Sequence, residues 1–445
     1  MSQYLLLKSR RFLPLFWTQF LGAFNDNVYK NALVILIIFE GSTLLNFDSN
    51  MLVTLSAGIF ILPYFLFSAT AGQLADKYEK SMLIRRVKIL EIVIMLFAIV
   101  GFYLKYVPIL IILLFLLGTQ ATLFGPLKYG ILPQHLRENE LMGGNGLIQM
   151  GTFLAILLGI ILGGVLIAIE PYGHLIVAGV VLLLAILGFL ASLYIPPATS
   201  PDPLLKINWN MATQTFRTMQ YASEDRSVLI AVVAISWFWF AGATYLSQFP
   251  AYTKYILGGY EHVVTLLLTM FSVGIGGGSV MCEKLSGGRI ELGLVPLGAV
   301  GITLFSIDVY FASQYFVELS LTPFTLQLET LGAWELLEQP MSWRMLADFL
   351  FIGLCGGFYI VPLFAMVQQR SNPQHRARVI AANNILNALF MVASAIGTVW
   401  LLHLGISIPM IFLILGAINA ALSGLIFLLL PEFIERFALW SHLRK

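Results

Sequence analysis

Apolar residues run along this chain in long unbroken blocks, not in the alternation of strands or the stripes of amphipathic helices. A bilayer core asks for about 20 mostly apolar residues per helix. Twelve blocks satisfy it: 14–40, 50–74, 84–104, 107–131, 145–169, 173–195, 228–250, 262–282, 290–313, 345–368, 378–403 and 409–430. The pattern predicts an all-α integral membrane protein with short loops and no room for a separate soluble catalytic domain. The first block holds Asn25-Asp26-Asn27 and no small-residue cleavage site, so it reads as a retained helix, not a signal peptide.

The polar positions orient and divide these helices. With the N-terminus placed inside, twenty Lys and Arg residues fall in inside segments and three, Lys105, Lys254 and Arg344, fall outside; Lys30 and Lys128 lie within spans. That bias places both termini in the cytoplasm. The longest inside loop opens PPATSPDP and continues KINWNMATQTFRTM, which reads as a linker followed by a surface helix. It divides the chain into a six-helix bundle at 1–195, a linker at 196–226 and a second bundle at 227–445. The outside segment 314–343, with Glu318, Glu329, Glu335 and Glu338, reads as a solvated excursion.

An internal repeat supports the division. GQLADK at 72–77 is similar to SVMCEK at 279–284, and Pro126 with Asn145-Gly-Leu-Ile-Gln149 is similar to Pro362 with Asn383-Asn-Ile-Leu-Asn387. The two offsets differ by about the size of the extra loop at 314–343. Inverted or parallel repeats of this kind are a transporter habit.

Composition narrows the class. Of 445 residues 59% are hydrophobic and 11% charged, with a mean hydropathy of +0.87; soluble domains are near a quarter charged. Basic residues are too sparse for a nucleic-acid footprint. Cys282 and Cys355 both lie in apolar stretches, which fits neither a disulfide framework nor a metal site, and no cofactor motif is present. HExxH, GxSxG and HxxxxD are all absent, so a lipid-modifying enzyme is disfavoured.

Charges inside the spans carry the chemistry, because each costs at least about 2.5–3.5 kcal/mol at the bilayer centre. Helix 1 holds Asn25, Asp26, Asn27 and Lys30. Asp26 and Lys30 stand i,i+4, so either they neutralise each other or Asp26 is offered to a substrate cation or a proton. Helix 4 holds Gln120 and then Gly125-Pro126-Leu127-Lys128-Tyr129-Gly130, where Pro126 predicts a kink. Lys128 either snorkels to headgroups or faces a substrate phosphate. Asn145 and Gln149 share one face of helix 5. Lys88, Glu91 and Asp308 read as structural. Gly159 and Gly163 on helix 5, and Gly274 and Gly278 on helix 8, permit close packing, either static or as a gate. The aromatic run Trp237-Phe238-Trp239-Phe240 reads as packing or as part of an apolar route.

Gly72, Asp76, Lys77 and the following Arg85 resemble the loop motif between helices 2 and 3 of the major facilitator superfamily, in which the acid latches one conformation against a basic group or a helix N-terminus. Glu283 and Lys284 occupy the corresponding places in the second copy. More narrowly, QFLGAFNDNVYKNAL (19–33), FGPLKYGILPQHL (124–136), GNGLIQMGT (144–152), CEKLSGGRIELGLVPLG (282–298) and YIVPLFAMVQQRS (359–371) resemble the superfamily's lysophospholipid transporter branch. The likeness runs over nearly the whole chain. It implies a major facilitator fold in two pseudo-symmetric halves, acting as a monomer in the bacterial inner membrane. It also implies flipping of lysophospholipids such as lysophosphatidylethanolamine to the cytoplasmic leaflet for re-acylation. Asp26 and Lys128 match the branch's helix-1 acid and helix-4 lysine. The basic residue that better-known members carry in helix 7 has no counterpart after Arg226. The form resembled is often joined to an acyltransferase; the sequence stops at HLRK, so a separate acyltransferase is the expected partner. A proton-coupled superfamily transporter of another amphipathic or polar solute is the alternative.

Overall fold

The computed structural model describes residues 3–45, 49–320 and 331–442, and the side chains of these except 39–51 and 319–320. Glu329 of the expected outer loop and the basic Arg444 and Lys445 lie outside the described residues. Among the described residues the protein is helical throughout, with one isolated parallel bridge between Gly259 and Leu331.

Twelve long helices match the twelve apolar blocks: α1 (Leu13–Leu45), α2 (Ser49–Lys77), α3 (Lys80–Tyr103), α4 (Val107–His135), α5 (Leu141–Ile167), α6 (Gly173–Ser192), α8 (Arg226–Tyr252), α9 (Glu261–Ser286), α10 (Leu294–Ser320), α12 (Ser342–Arg370), α13 (Arg376–His403) and α14 (Ile408–Leu429). Three shorter ones are α7 (Met211–Ser223), α11 (Ala333–Glu338) and α15 (Glu432–His442). At about 1.5 Å per residue even a helix of about 20 residues reaches about 30 Å. Ten of the twelve are long and apolar enough to cross a bilayer; the other two are α1, which carries Asp26 and Lys30, and α3, which carries Lys88 and Glu91. Helix α4 runs unbroken through Pro126 and Pro133.

By contact the chain divides into two units. The first comprises 1–144, 154–232 and 367–388; the second comprises 145–153, 233–366 and 389–445. The linker 196–226 and the start of α13 therefore join the first unit. The reason is hydrogen bonding. Asn208 and Gln73 exchange two bonds, 2.8 and 3.0 Å, Ser200 Oγ donates to the Asp76 and Lys77 carbonyls, and the Asp202 N–H donates to Asp76 O.

In the first unit α2 packs on α4, and α1 and α3 pack on α6. Its apolar core runs through Tyr29, Leu33, Ile94, Phe102, Leu117 and Val181, and the Tyr29 hydroxyl donates to Leu110 O at 2.8 Å. Arg11, ahead of α1, grips Glu140 at the head of α5 in a two-pronged bond of 2.5 and 2.6 Å. In the second unit α10 packs on α14, around Tyr245, Tyr252, Phe349 and Phe412. The later part of the outer excursion, from Leu331 on, is docked there and not merely solvated. Leu331 N–H donates to Gly258 O, Tyr260 N–H donates to Leu331 O, and Leu336 is fully buried.

Candidate functional site

Consecutive residues on a helix point about 100° apart, and α1 uses this to send its polar residues in different directions. Asn25 turns toward α3, where its Nδ2 donates to Glu91 Oε1 at 2.9 Å. Glu91 Oε2 accepts from Lys88 Nζ at 2.6 Å and from Gln120 Nε2 at 3.0 Å. All four side chains are buried. Gly22 makes the space: a Cβ there would stand 2.5 Å from Lys88 Nζ. Asn25 and Gln120, expected to bind substrate, thus spend their donors on the Lys88–Glu91 ion pair. A buried ion pair is tolerable only when its remaining polar atoms are met, and that is their work here.

Asp26 turns the other way. It is partly buried, and its Oδ1 has no hydrogen-bond donor among the described residues. Lys30 and Lys128, with Lys88 and Glu91 beyond, supply the electrostatic field at Asp26. The i,i+4 pair suggested by the spacing does not close. Lys30 Nζ lies 4.4 Å from the centroid of Phe60 on α2, and Lys128 Nζ lies 4.6 Å from that of Tyr129. Each ammonium therefore rests on an aromatic face, a contact worth about 0.5–2 kcal/mol. Tyr64, one turn beyond Phe60 on α2, packs against it with ring centroids 6.2 Å apart. Phe60 and Tyr64 belong to no motif in the sequence. Their signal was faint: an aromatic pair at i,i+4, the second with a polar tip, inside an apolar run. The assembled site has one acid, two ammoniums and three aromatic rings, held on α1, α2 and α4 of the first unit.

The other expected contacts lie elsewhere. Asn27 donates to Ala23 O at 2.7 Å and lies against Gly159. Asn145 and Gln149 are fully buried and belong to the second unit. So does the aromatic run: Trp237 donates to Asn419 Oδ1 at 2.8 Å, and Trp239 stacks on Phe153. Trp237 and Phe238 are core residues, while Trp239 and Phe240 stay partly accessible.

The paired glycines make close contacts inside each unit. Cβ atoms at Gly159 and Gly163 would meet the α1 backbone at Phe24 O and Val28 O, 2.8 and 2.7 Å away. At Gly274 and Gly278 they would collide with Leu350 O and Leu354 O of α12. The two stripes seat α5 on α1 and α9 on α12.

At the basic end of the first unit Asp76 holds the start of α13. Its Oδ1 accepts the Ala377 N–H at 3.1 Å, and its Oδ2 accepts the Arg378 N–H at 3.2 Å and Arg378 Nε at 2.9 Å. A carboxylate at a helix N-terminus meets both the orphan N–H groups and the positive dipole end. Arg378 also reaches Asp202 and Gln374 O and stacks over Tyr221 of α7. Gly72 allows the approach, since a Cβ there would lie 2.8 Å from Ala381 Cβ. Arg378, singled out by no motif, is thus the main partner of Asp76. Arg85 is not: its Nη2 caps the end of α6 through Ile195 O at 3.2 Å and Leu193 O at 3.4 Å. Lys77 lies over Tyr78. In the second unit Glu283 and Lys284 form no side-chain ion pair among the described residues. Glu79 caps α3 and accepts the Ala198 N–H at 2.6 Å; burial works against its charge, but four donors, from Ala198, Ser81 and Met82, outweigh it and hold the carboxyl below its usual range.

Residues 15–326 match the model of the Major Facilitator Superfamily, and the chain belongs to that superfamily of membrane transporters. Among curated relatives, a protein of Pectobacterium carotovorum subsp. carotovorum named lysophospholipid transporter LplT is 29% identical over 385 residues, covering 85% of this chain and 82% of the relative. One of the same name from Serratia proteamaculans is 28% identical over 386 residues, covering 85% of each. Among solved structures, the human organic anion transporter MFSD10 superposes with a TM-score of 0.72 at 13% identity, covering 94% of this chain and 99% of that one. The transporter FucP, in its outward conformation, does so with a TM-score of 0.64 at 15% identity, covering 94% and 97%. These superpositions carry the fold alone.

Proposed function

We propose that this protein moves lysophospholipids, such as lysophosphatidylethanolamine, to the cytoplasmic leaflet of a bacterial inner membrane, where a separate acyltransferase re-acylates them. The observation that carries this reading is the partly accessible set of Asp26, Lys30 and Lys128, opposite in sign and none ion-paired with another among the described residues. A zwitterionic headgroup is their complement. Its ammonium suits the Asp26 carboxylate and its phosphate suits Lys128, with Lys30 and the Tyr64 hydroxyl beside them. The names of the curated relatives support the same substrate class. The basic-inside bias supports the orientation. In this reading the acyl tail stays in a lateral opening while the two halves alternate. Asp76 and Arg378, joined at the start of α13, act as the latch on one state.

The test is reconstitution. Labelled lysophosphatidylethanolamine is placed in one leaflet of proteoliposomes and its transfer followed by albumin extraction. Transfer should exceed that of protein-free vesicles. Equal rates with and without protein would remove the proposal. Transfer only of another amphiphile, driven by an imposed pH gradient, would favour a proton-coupled carrier.

A further inference from the structure

We propose that the first unit also carries a groove for a two-chain anionic phospholipid, separate from the Asp26 site. A cavity of about 220 Å³ opens between α2, α3 and α4 near their basic ends. Leu74, Leu83, Val87, Leu123 and Leu127 line it, and the one charged residue on its wall is Arg86.

Arg86 is exposed and forms no hydrogen bond or ion pair among the described residues, whereas the adjacent Arg85 is committed to the α6 carbonyls. Arg86 is the seventh residue of α3, about 9 Å along that helix from its start, which places it near headgroup depth. Leu90 lies a turn deeper on α3 and Leu123 a turn deeper than Leu127 on α4, so the cavity leads from Arg86 toward the bilayer interior.

Size and chemistry fix the occupant. Pockets for soluble ligands run to about 300–1,000 Å³; this one admits a stretch of a single acyl chain and leaves the rest of the lipid in the bilayer. An apolar wall alone does not choose among lipids, because their tails are as apolar as leucine. The choice falls to Arg86, whose planar guanidinium takes a phosphate through two bonds. Between positions 77 and 86 the chain has four basic residues and one acid, Glu79, and Glu79 is already engaged at the head of α3. That field favours a headgroup with net negative charge over a zwitterion. Basic recesses between membrane helices on the cytoplasmic side hold anionic lipids in this way.

Native mass spectrometry of the full chain, released from detergent with added phosphatidylglycerol or phosphatidylcholine, tests this. Phosphatidylglycerol should stay bound in preference. Arg86→Gln should lower its adduct about fivefold, Arg86→Lys should retain most of it, and Leu83→Trp, which fills the groove, should displace it. Arg289→Gln, at an exposed arginine of the second unit, serves as the control for bulk charge. The proposal is overturned if Arg86→Gln binds phosphatidylglycerol as well as the parent protein does, or loses no more than Arg289→Gln. Should Leu83→Trp fail to fold, Arg86→Gln against Arg86→Lys decides the matter. Loss of the lipid with lysophospholipid transfer intact, or the reverse, separates this site from the Asp26 site.

Discussion

Asn25 and Asp26 are neighbours in the chain and belong to two different regions of the same bundle. Asn25 helps close a dry cluster in which Glu91 receives three donors, from Lys88, Asn25 and Gln120. One position on, Asp26 faces two lysines that lean on aromatic rings, with one of its own oxygens unpaired among the described residues. Both regions place charge at a depth where charge is costly. The first has met the cost internally and gains rigidity. The second has left it open, and an open charge in a membrane span is a place for something to bind. Residue type does not separate the two; the donors at the charge do, since Glu91 takes three and Asp26 Oδ1 none among the described residues.

Glu91→Ala should be the most damaging, because it strands Lys88 in a dry core. A loss of about 3–5 kcal/mol is expected, seen as a lowered unfolding midpoint in detergent, and Lys88→Met added to it should recover part. If Glu91→Ala melts like the parent, the dry cluster is not the support described here. Asp26→Asn should do the opposite, leaving the midpoint unchanged or higher while lysophosphatidylethanolamine transfer falls at least about tenfold. A lowered midpoint with normal transfer would move Asp26 into the structural class. Lys128→Ala should weaken transfer of phosphate-bearing amphiphiles several-fold more than that of phosphate-free ones; equal losses would point to folding. Tyr64→Phe, which removes one hydroxyl at the rim of the open region, should cost about twofold to fivefold in transfer with no change in melting.

The long helices were readable because hydrocarbon solvent writes itself into sequence as uninterrupted apolar runs. The helices outlast those runs, as α4 does by continuing from 131 to His135, since a helix needs no apolar side chains once it leaves the core. Asp26, Lys30 and Lys128 were readable for the same reason inverted: a charge in such a run is conspicuous. What could not be read was direction. Asn25 and Gln120 look like Asp26 in a string, and only the three-dimensional neighbours of Glu91 claim them. Arg378 stands about 300 residues from Asp76, and no local pattern announces a contact of that span. Tyr64 was hidden by its company, one more aromatic ring in a run of them. The Gly159 and Gly163 stripe was legible as close packing, but its partner, α1, was not.

On the proposed function, the aromatic rests of Lys30 and Lys128 have a kinetic meaning. A carrier must let go of what it binds as readily as it takes it up, and a site that welds its own cations to a carboxylate would admit nothing. A site with bare cations would hold a phosphate too long. Phe60 and Tyr129 offer a middle course, soft enough to be displaced by an arriving anion and attractive enough to reclaim the ammonium when that anion leaves. On this view the two rings set the residence time of the cargo, and lightening them would slow release before it weakened capture.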